Sequence, residues 1–274
     1  MRSSLQSPRV DRLLSVSGWL IFAFLYLPIL IVVVFSFSAS PNVGIWGGFS
    51  TRWYERMVGN EQLLSAVQNS LWVALFSTVI STALGTAAGL ALDRYRRWIG
   101  RGTFDGLLYL PVIIPDVTMA VMLLLWFTQV GIPLGRTSIT LAHIAFNISF
   151  VAIVVRARLA NMDPSMEDAA ADLYANRWKA FRRVTLPLIM PGVLGGGLLA
   201  LTLSLDDVVI TSFVQGPGST TLPVYVFGLI RRSVTPEINA VSTVMIAVSM
   251  VLVFSSLVLQ RRGGNQPMIE EEML

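Results

Sequence analysis

The chain has 274 residues, of which 54% are hydrophobic and 13% charged, and its mean hydropathy is +0.68. Soluble domains are about 45–50% apolar and about 25% charged, so this composition excludes an ordinary soluble domain and indicates a membrane protein. The absence of cysteine excludes disulfides and thiolate metal sites, and with a single histidine we expect no metal site.

Six apolar runs are each long enough to cross a bilayer, which takes about 20 residues in a helix. We predict an all-α fold, a polytopic membrane helix bundle that forms one transmembrane domain over residues 1–274. The chain shows no internal repeat, which disfavours a secondary transporter built from inverted repeats. The predicted transmembrane helices occupy approximately residues 19–37, 67–92, 104–127, 139–159, 188–214 and 240–259.

The first span follows three arginines, and its apolar part is longer than the roughly 7–15 residues of a cleaved signal sequence, so we predict that it is retained. The long outer segment after it is rich in aromatic residues, typical of anchoring at the membrane interface or of contact with an external partner. In the second span Ser81, Gly85 and Gly89 recur every four residues, a pattern that predicts close helix packing. Gly192 and Gly196 in the fifth span predict the same.

The positively charged residues lie mainly on one side of the predicted membrane. Fifteen of the 20 Lys and Arg residues lie in segments that six spans would place on the inner side, which is the positive-inside pattern. We therefore predict a multi-pass protein with both termini in the cytoplasm and no nucleic acid partner. Residues 222–232 are predicted to form a short amphipathic outer element.

Three carboxylates lie at membrane depth, Asp116 in the third span and Asp206 and Asp207 in the fifth. Each costs about 2.5–3.5 kcal/mol at a helix centre, so such residues face a bundle interior or a water-filled path. No Lys or Arg lies in the same spans, which favours a cationic passenger in the path. Because adjacent helical residues point about 100° apart, we expect Asp206 or Asp207 to line the path while the other hydrogen-bonds a neighbouring helix.

The alternative for these three carboxylates is structural: they would join helices or cap a broken helix next to Pro115 or the glycines. For His143 in the fourth span, hydrogen bonding within the bundle is favoured over proton transfer.

The most polar internal stretch, residues 163–187, separates the fourth and fifth spans. Asp163 is placed to cap a helix that starts at Pro164, and Glu167 and Asp168 fall near the positive end of that helix. Together with the basic residues that follow, this pattern predicts two short helices that stop at Pro187.

This stretch resembles the cytoplasmic coupling loop of inner-membrane permease subunits in binding-protein-dependent ABC importers. The family motif is Glu-Ala-Ala, three residues, Gly, nine residues and Ile-x-Leu-Pro. Here Asp168-Ala169-Ala170 opens the motif, Val184-Thr185-Leu186-Pro187 closes it, and Tyr174 stands at the Gly position. A left-handed turn costs a residue with a side chain about 1–2 kcal/mol, so we expect Asn176 or a relaxed turn to replace it.

The resemblance implies that this loop docks on a separate ATPase subunit. The residues that carry this expected coupling role are Asp168, Ala169, Ala170, Leu173, Tyr174, Val184, Leu186 and Pro187.

The second half of the chain is similar to the polyamine (putrescine/spermidine) branch of these permeases. The resemblance implies a permease subunit of a bacterial inner membrane, paired with a related second permease subunit, two cytoplasmic ATPase subunits and an external polyamine-binding protein. It is carried by residues 203–214, 216–218, 220–223 and 236–240, and also by residues 50–54.

The chain itself is not expected to be an enzyme or to hold a cofactor. It lacks the Gly-x4-Gly-Lys loop that binds nucleotide phosphates, and Trp178 precedes its one lysine, Lys179. ATP and Mg would be bound by the ATPase partners. The alternatives left open are an ABC permease for a different solute and a proton-coupled cation antiporter that uses Asp116, Asp206 and His143; a membrane scaffold or sensor is disfavoured.

Overall fold

The computed structural model describes residues 8–95, 97–163, 165–232 and 236–263. Over these residues the fold is all-α, as predicted, and the only β-type pairing is an isolated bridge between Ser38 and Phe49. The helices are α1 (Pro8–Phe35), α2 (Arg52–Val58), α3 (Glu61–Arg94), α4 (Arg101–Ile113), α5 (Asp116–Val130), α6 (Arg136–Ala160), α7 (Ser165–Asp172), α8 (Arg177–Ala180), a π-helical segment (Phe181–Thr185), α9 (Leu186–Asp206), α10 (Val209–Val214), α11 (Leu222–Arg232) and α12 (Pro236–Gly263).

Four helices among the described residues are long and apolar enough to cross a membrane, and a fifth span is obtained if α4 and α5 count as one. The predicted number of six is therefore not confirmed. The four are Arg12–Phe35, Glu61–Arg94, Arg136–Ala160 and the continuous helix Arg177–Asp206.

The predicted third span, residues 104–127, is broken instead of continuous, with α4 and α5 meeting at 115°. The cause is local. Ile114 precedes Pro115 and takes an extended ψ of 134°, because a following proline disfavours the helical conformation. Pro115 is also extended, with ψ at 137°, so α5 has to start anew at Asp116.

The predicted stop at Pro187 is wrong. The helix runs through this proline, which lies in the first turn of α9, directly after the π-helical turn Phe181–Thr185. A proline lacks the N–H that a continuing helix needs, and local π adjustments are one way in which helices in membranes accommodate such a residue.

The described residues form two compact units, one within residues 1–60 and 229–274 and the other within residues 61–228. In the first unit α12 packs against α1 and α2. Trp53 of α2 is buried there, its indole Nε1 donates to the Ser38 carbonyl at 2.7 Å, and the Arg52 guanidinium lies 4.3 Å from its ring centroid. The single domain over residues 1–274 stays a prediction.

In the second unit α3, α6 and α9 pack on one another through small residues, as the four-residue spacing predicted. A Cβ on Gly85 would lie 2.7 Å from the Val151 Cβ, and one on Gly196 would lie 3.2 Å from the Val151 Cα. Both helices thus approach α6 at Val151. The approach at Gly85 is too close for any side chain, and the approach at Gly196 is tight for one. The three helices hold the polar cluster described next.

Candidate functional site

The fifth apolar run contains a break at Asp206–Val208, which we call the acidic break. Helix α9 ends at Asp206, Asp207 is extended with ψ at 124°, and α10 starts at Val209. Asp207 caps α10: its Oδ1 accepts from the Ile210 N–H at 3.2 Å, and its Oδ2 accepts from the Thr211 N–H and hydroxyl, both at 2.7 Å. Unpaired N–H groups at a helix start favour such a carboxylate.

His143 of α6 joins the two helices on either side of the acidic break. Its side chain is buried, its Nδ1 lies 2.7 Å from the Ser204 Oγ in the last turn of α9, and its Nε2 lies 3.0 Å from the Thr211 Oγ1 in α10. The same Nε2 is 3.3 Å from the Asp207 Oδ2. The Ser204 hydroxyl is in turn 3.1 Å from that of Ser77 on α3, so one hydrogen-bonded cluster links α3, α6, α9 and α10.

The structure thus separates the two adjacent acids. Asp207 is bonded to α10 and lies against His143 of α6, as expected for one member of the pair, whereas the Asp206 residue is exposed. The alternative of a carboxylate capping a broken helix also describes Asp207 correctly. That either acid lines a path stays a prediction.

Asp116 lies at a different break. It is the first residue of α5, exposed, and directly follows Pro115. The positive end of a helix dipole favours a carboxylate in this position without any passenger. The hydrogen bonds described at the acidic break do not involve Asp116.

The loop between α6 and α9 begins with the predicted cap. The Asp163 Oδ1 accepts from the Ser165 N–H at 2.9 Å, and this hydrogen bond lowers the pKa of Asp163. Glu167 and Asp168 lie in the first turn of α7, as expected. Pro164, the predicted first residue of this helix, lies outside the described residues.

Tyr174 itself adopts the left-handed conformation at the family's glycine position, with φ at +58°. The expectation that Asn176 or a relaxed turn would replace it is wrong, because Asn176 is extended and caps α8, accepting from the Lys179 N–H at 2.8 Å. The turn at Tyr174 is held by two bonds, from its N–H to the Ala171 carbonyl (2.9 Å) and from the Ala175 N–H to the Ala170 carbonyl (3.0 Å). This pair is the Schellman motif that closes many helices.

The other predicted coupling residues are mainly accessible. Leu173 and Tyr174 are 82% and 98% exposed, which is unusual for large side chains of this kind and leaves both free to contact a partner. Their coupling role stays a prediction. Asp168, Ala169 and Pro187 are also exposed, and Ala170, Val184 and Leu186 are partly buried.

Sequence reasoning missed the contact that ties this loop to the helices. Glu167 pairs with Arg94 at the end of α3, and the same carboxylate oxygen accepts from the hydroxyl of the fully buried Thr185 in the π-helical segment. Arg94 also donates to the Thr185 Oγ1 at 3.0 Å. The sequence shows that each of these residues is polar and lies near the inner end of a predicted span. A single sequence does not show which of its distant positions are in contact.

No group of three or more His, Asp or Glu side chains suited to a metal ion occurs in the described parts of the chain.

The chain is similar to known transport proteins. A family model described as "Binding-protein-dependent transport system inner membrane component" matches residues 81–262. The putrescine transport system permease protein PotI of Escherichia coli (strain K12) is 42% identical over 251 residues, with 89% of each chain covered. The spermidine/putrescine transport system permease protein PotC of the same strain is 41% identical over 241 residues, covering 88% of this chain and 91% of that protein.

A more distant relative is the putative 2-aminoethylphosphonate transport system permease protein PhnV of Salmonella typhimurium, 27% identical over 92% of this chain and 95% of that protein. Among solved structures, a bacterial ABC transporter involved in the import of the acidic polysaccharide alginate matches with a TM-score of 0.70 at 18% identity, covering 94% of this chain and 99% of that one. The MetNI methionine ABC transporter in inward-facing conformations matches with a TM-score of 0.63 at 17% identity, covering 76% and 98%. At these identities the structures show a shared fold.

Proposed function

The chain belongs to the family of binding-protein-dependent transport system inner membrane components, and from this premise we propose that it is a permease subunit of an ATP-driven polyamine importer. The observation that carries the proposal is its identity of 41–42% to two permeases named for putrescine or spermidine transport, over almost nine tenths of the chain. The relative named for 2-aminoethylphosphonate, at 27%, is much more distant.

The chemistry of the acidic break supports this substrate class. A polyamine carries several ammonium groups separated by apolar linkers, and each ammonium donates up to three hydrogen bonds. Carboxylates at membrane depth complement such a passenger and repel anions. The path that we propose passes Asp206 and Asp207, and Asp116 at the α4–α5 bend is its third acidic residue.

The subunits of the proposed assembly have different roles. This chain pairs with a related second permease subunit to form the path through a bacterial inner membrane, with both termini in the cytoplasm. Two ATPase subunits bind ATP and Mg, and one of them docks on the loop of residues 163–187, where the exposed Leu173 and Tyr174 offer apolar contacts. An external binding protein delivers the polyamine.

Uptake of labelled putrescine and spermidine tests the proposed substrate. The chain and its partner subunits are expressed in a bacterial strain that lacks its own polyamine importers, and uptake is compared with and without excess 2-aminoethylphosphonate. We expect saturable polyamine uptake that the phosphonate does not inhibit. Inhibition by the phosphonate, or no polyamine uptake by a fully assembled complex, would favour the alternative of a permease for a different solute.

The source of energy is tested in the same cells. We expect uptake to stop when ATP is depleted while the proton gradient is kept. Uptake that survives ATP depletion and stops when the proton gradient is collapsed would favour the proton-coupled antiporter, an alternative that none of the named relatives supports.

A further inference from the structure

We propose that the two adjacent carboxylates of the acidic break have different roles. Asp206 contacts an ammonium group of the passenger, whereas Asp207 and His143 are positioning residues that fix the break and hold Asp206 at its place. This inference rests on the proposed function, because it concerns the same path and the same class of substrate.

Asp207 is occupied within the protein. Its two oxygens accept three hydrogen bonds from α10, and His143 Nε2 lies 3.3 Å from one of them. A carboxylate offers about four acceptor sites, so little capacity is left for a passenger. Its side chain is also only 16% exposed. A passing ammonium group would have to displace the cap of α10 to reach it.

His143 fixes the two ends of the break relative to each other. Its two ring nitrogens reach both the last turn of α9, at Ser204, and the first turn of α10, at Thr211. The His143 side chain is buried, so its imidazole cannot turn towards solvent without losing its contacts with both Ser204 and Thr211. Loss of His143 would therefore loosen the break even though Asp206 itself is untouched.

Asp206 lies on the open face of α9. The buried face of this helix packs on α6 with small residues, whereas the opposite face stays exposed at steps of four residues, as expected for one side of a helix. The buried residues are Gly192, Gly196, Ala200 and Ser204, and the exposed ones are Leu194, Leu198, Thr202 and Asp206.

The end of α9 adds to the attraction for a cation. A carboxylate at this depth normally faces a bundle interior or a water-filled path, since hydrocarbon solvates charge poorly. Helix α9 ends at Asp206, so the negative end of its dipole and its last free carbonyl oxygens lie beside this carboxylate. An ammonium group fits that place because it can donate to the carboxylate and to a carbonyl together.

The experiment uses the assembled transporter in proteoliposomes and measures two quantities for each variant. The first is the KM and maximal rate of putrescine uptake. The second is hydrogen exchange at the Ile210 and Thr211 amides, which report directly on the cap. Asp206→Asn should raise KM about tenfold or more, the effect of one lost charged hydrogen bond, and leave both amides protected. Asp206→Glu should restore most of the affinity.

The positioning variants should behave in the opposite way. Asp207→Ala, which removes both capping oxygens, and His143→Gln should increase exchange at both amides about tenfold or more and lower the maximal rate more than they raise KM. Thr202→Val, one turn before Asp206 on the same open face, is the matched control and should change neither quantity.

Two results would overturn the assignment. One is a normal KM in Asp206→Asn together with a raised KM in Asp207→Asn, which would reverse the roles. The other is unchanged amide exchange in both Asp207→Ala and His143→Gln, which would remove the positioning role. If the wild-type complex transports no polyamine, the proposed function fails and with it the contact of Asp206, whereas faster exchange in Asp207→Ala would still support the positioning of the break.

Discussion

Replacing Gly85 by alanine tests the packing that holds the polar cluster together. The added Cβ would lie 2.7 Å from the Val151 Cβ, 2.8 Å from the Ile148 carbonyl oxygen and 2.9 Å from the Val151 Cγ1, where ordinary contacts are 3.4–4 Å. One of these neighbours is backbone, so α3 and α6 must move apart. Such overpacking costs about 1–3 kcal/mol.

Alanine also recovers about 0.5–1 kcal/mol, because glycine in a helix is unfavourable. We therefore expect a net loss of about 1–2 kcal/mol for Gly85→Ala. Gly106 of α4 is the matched control, since a Cβ there would meet no atom within 4 Å. Gly106→Ala should gain about 0.5–1 kcal/mol.

The assay is thermal unfolding of the purified chain in detergent. The two variants should move Tm in opposite directions and differ by about 2 kcal/mol, or roughly 4–8 °C for a chain of this size. Equal Tm values, or a lower Tm for Gly106→Ala than for Gly85→Ala, would refute the close approach of α3 and α6.

Three further predictions concern the loop of residues 163–187. Tyr174→Gly should remove about 1–2 kcal/mol of left-handed strain without loss of buried surface. We therefore expect slower amide exchange in α7, and faster exchange would contradict this prediction. Thr185→Val should cost about 1.5–3 kcal/mol by removing the hydroxyl that donates to the Glu167 carboxylate, and faster exchange in α7 should report this loss, while Thr185→Ser should behave as wild type. Asp168→Asn should lower ATP-driven uptake whereas Asp172→Asn, an exposed acid in the same helix, should not; equal uptake in the two variants would contradict docking through Asp168.

The features that the sequence predicted well are those set by local pattern. Apolar runs gave the membrane class, and the spacing of Ser81, Gly85 and Gly89 gave the face on which α3 packs. The helix cap at Asp163 was also predictable, because a capping side chain bonds to an amide only two or three residues away. α11 has the bounds expected for the amphipathic element.

Other features could not be predicted from the sequence because two local effects oppose each other at the same residue. Pro115 lies inside a predicted span and Pro187 directly before one, yet the helices on either side of Pro115 meet at 115° whereas Pro187 lies inside a continuous helix. Tyr174 takes a strained conformation because two backbone bonds of the Schellman motif offset its cost. A sequence pattern shows the strain but not the bonds that offset it.

Only part of the candidate site could be predicted from the sequence. The acids at positions 206 and 207 stood out because charge is rare at membrane depth. Their separation into a bonded and an exposed residue appears only in the fold, where His143, more than 60 residues away in the chain, reaches Ser204 and Thr211 through tertiary packing. Pairings over such separations leave no trace in one sequence.

The central claim is that this chain forms part of a path through the membrane and takes its energy from partner subunits. The most direct measurement compares putrescine accumulation in proteoliposomes that contain either the chain alone or the chain with its second permease, ATPase and binding-protein partners. We expect accumulation against a gradient only in the complete assembly and only with ATP and Mg. Uphill accumulation by the chain alone, without nucleotide, would contradict the account.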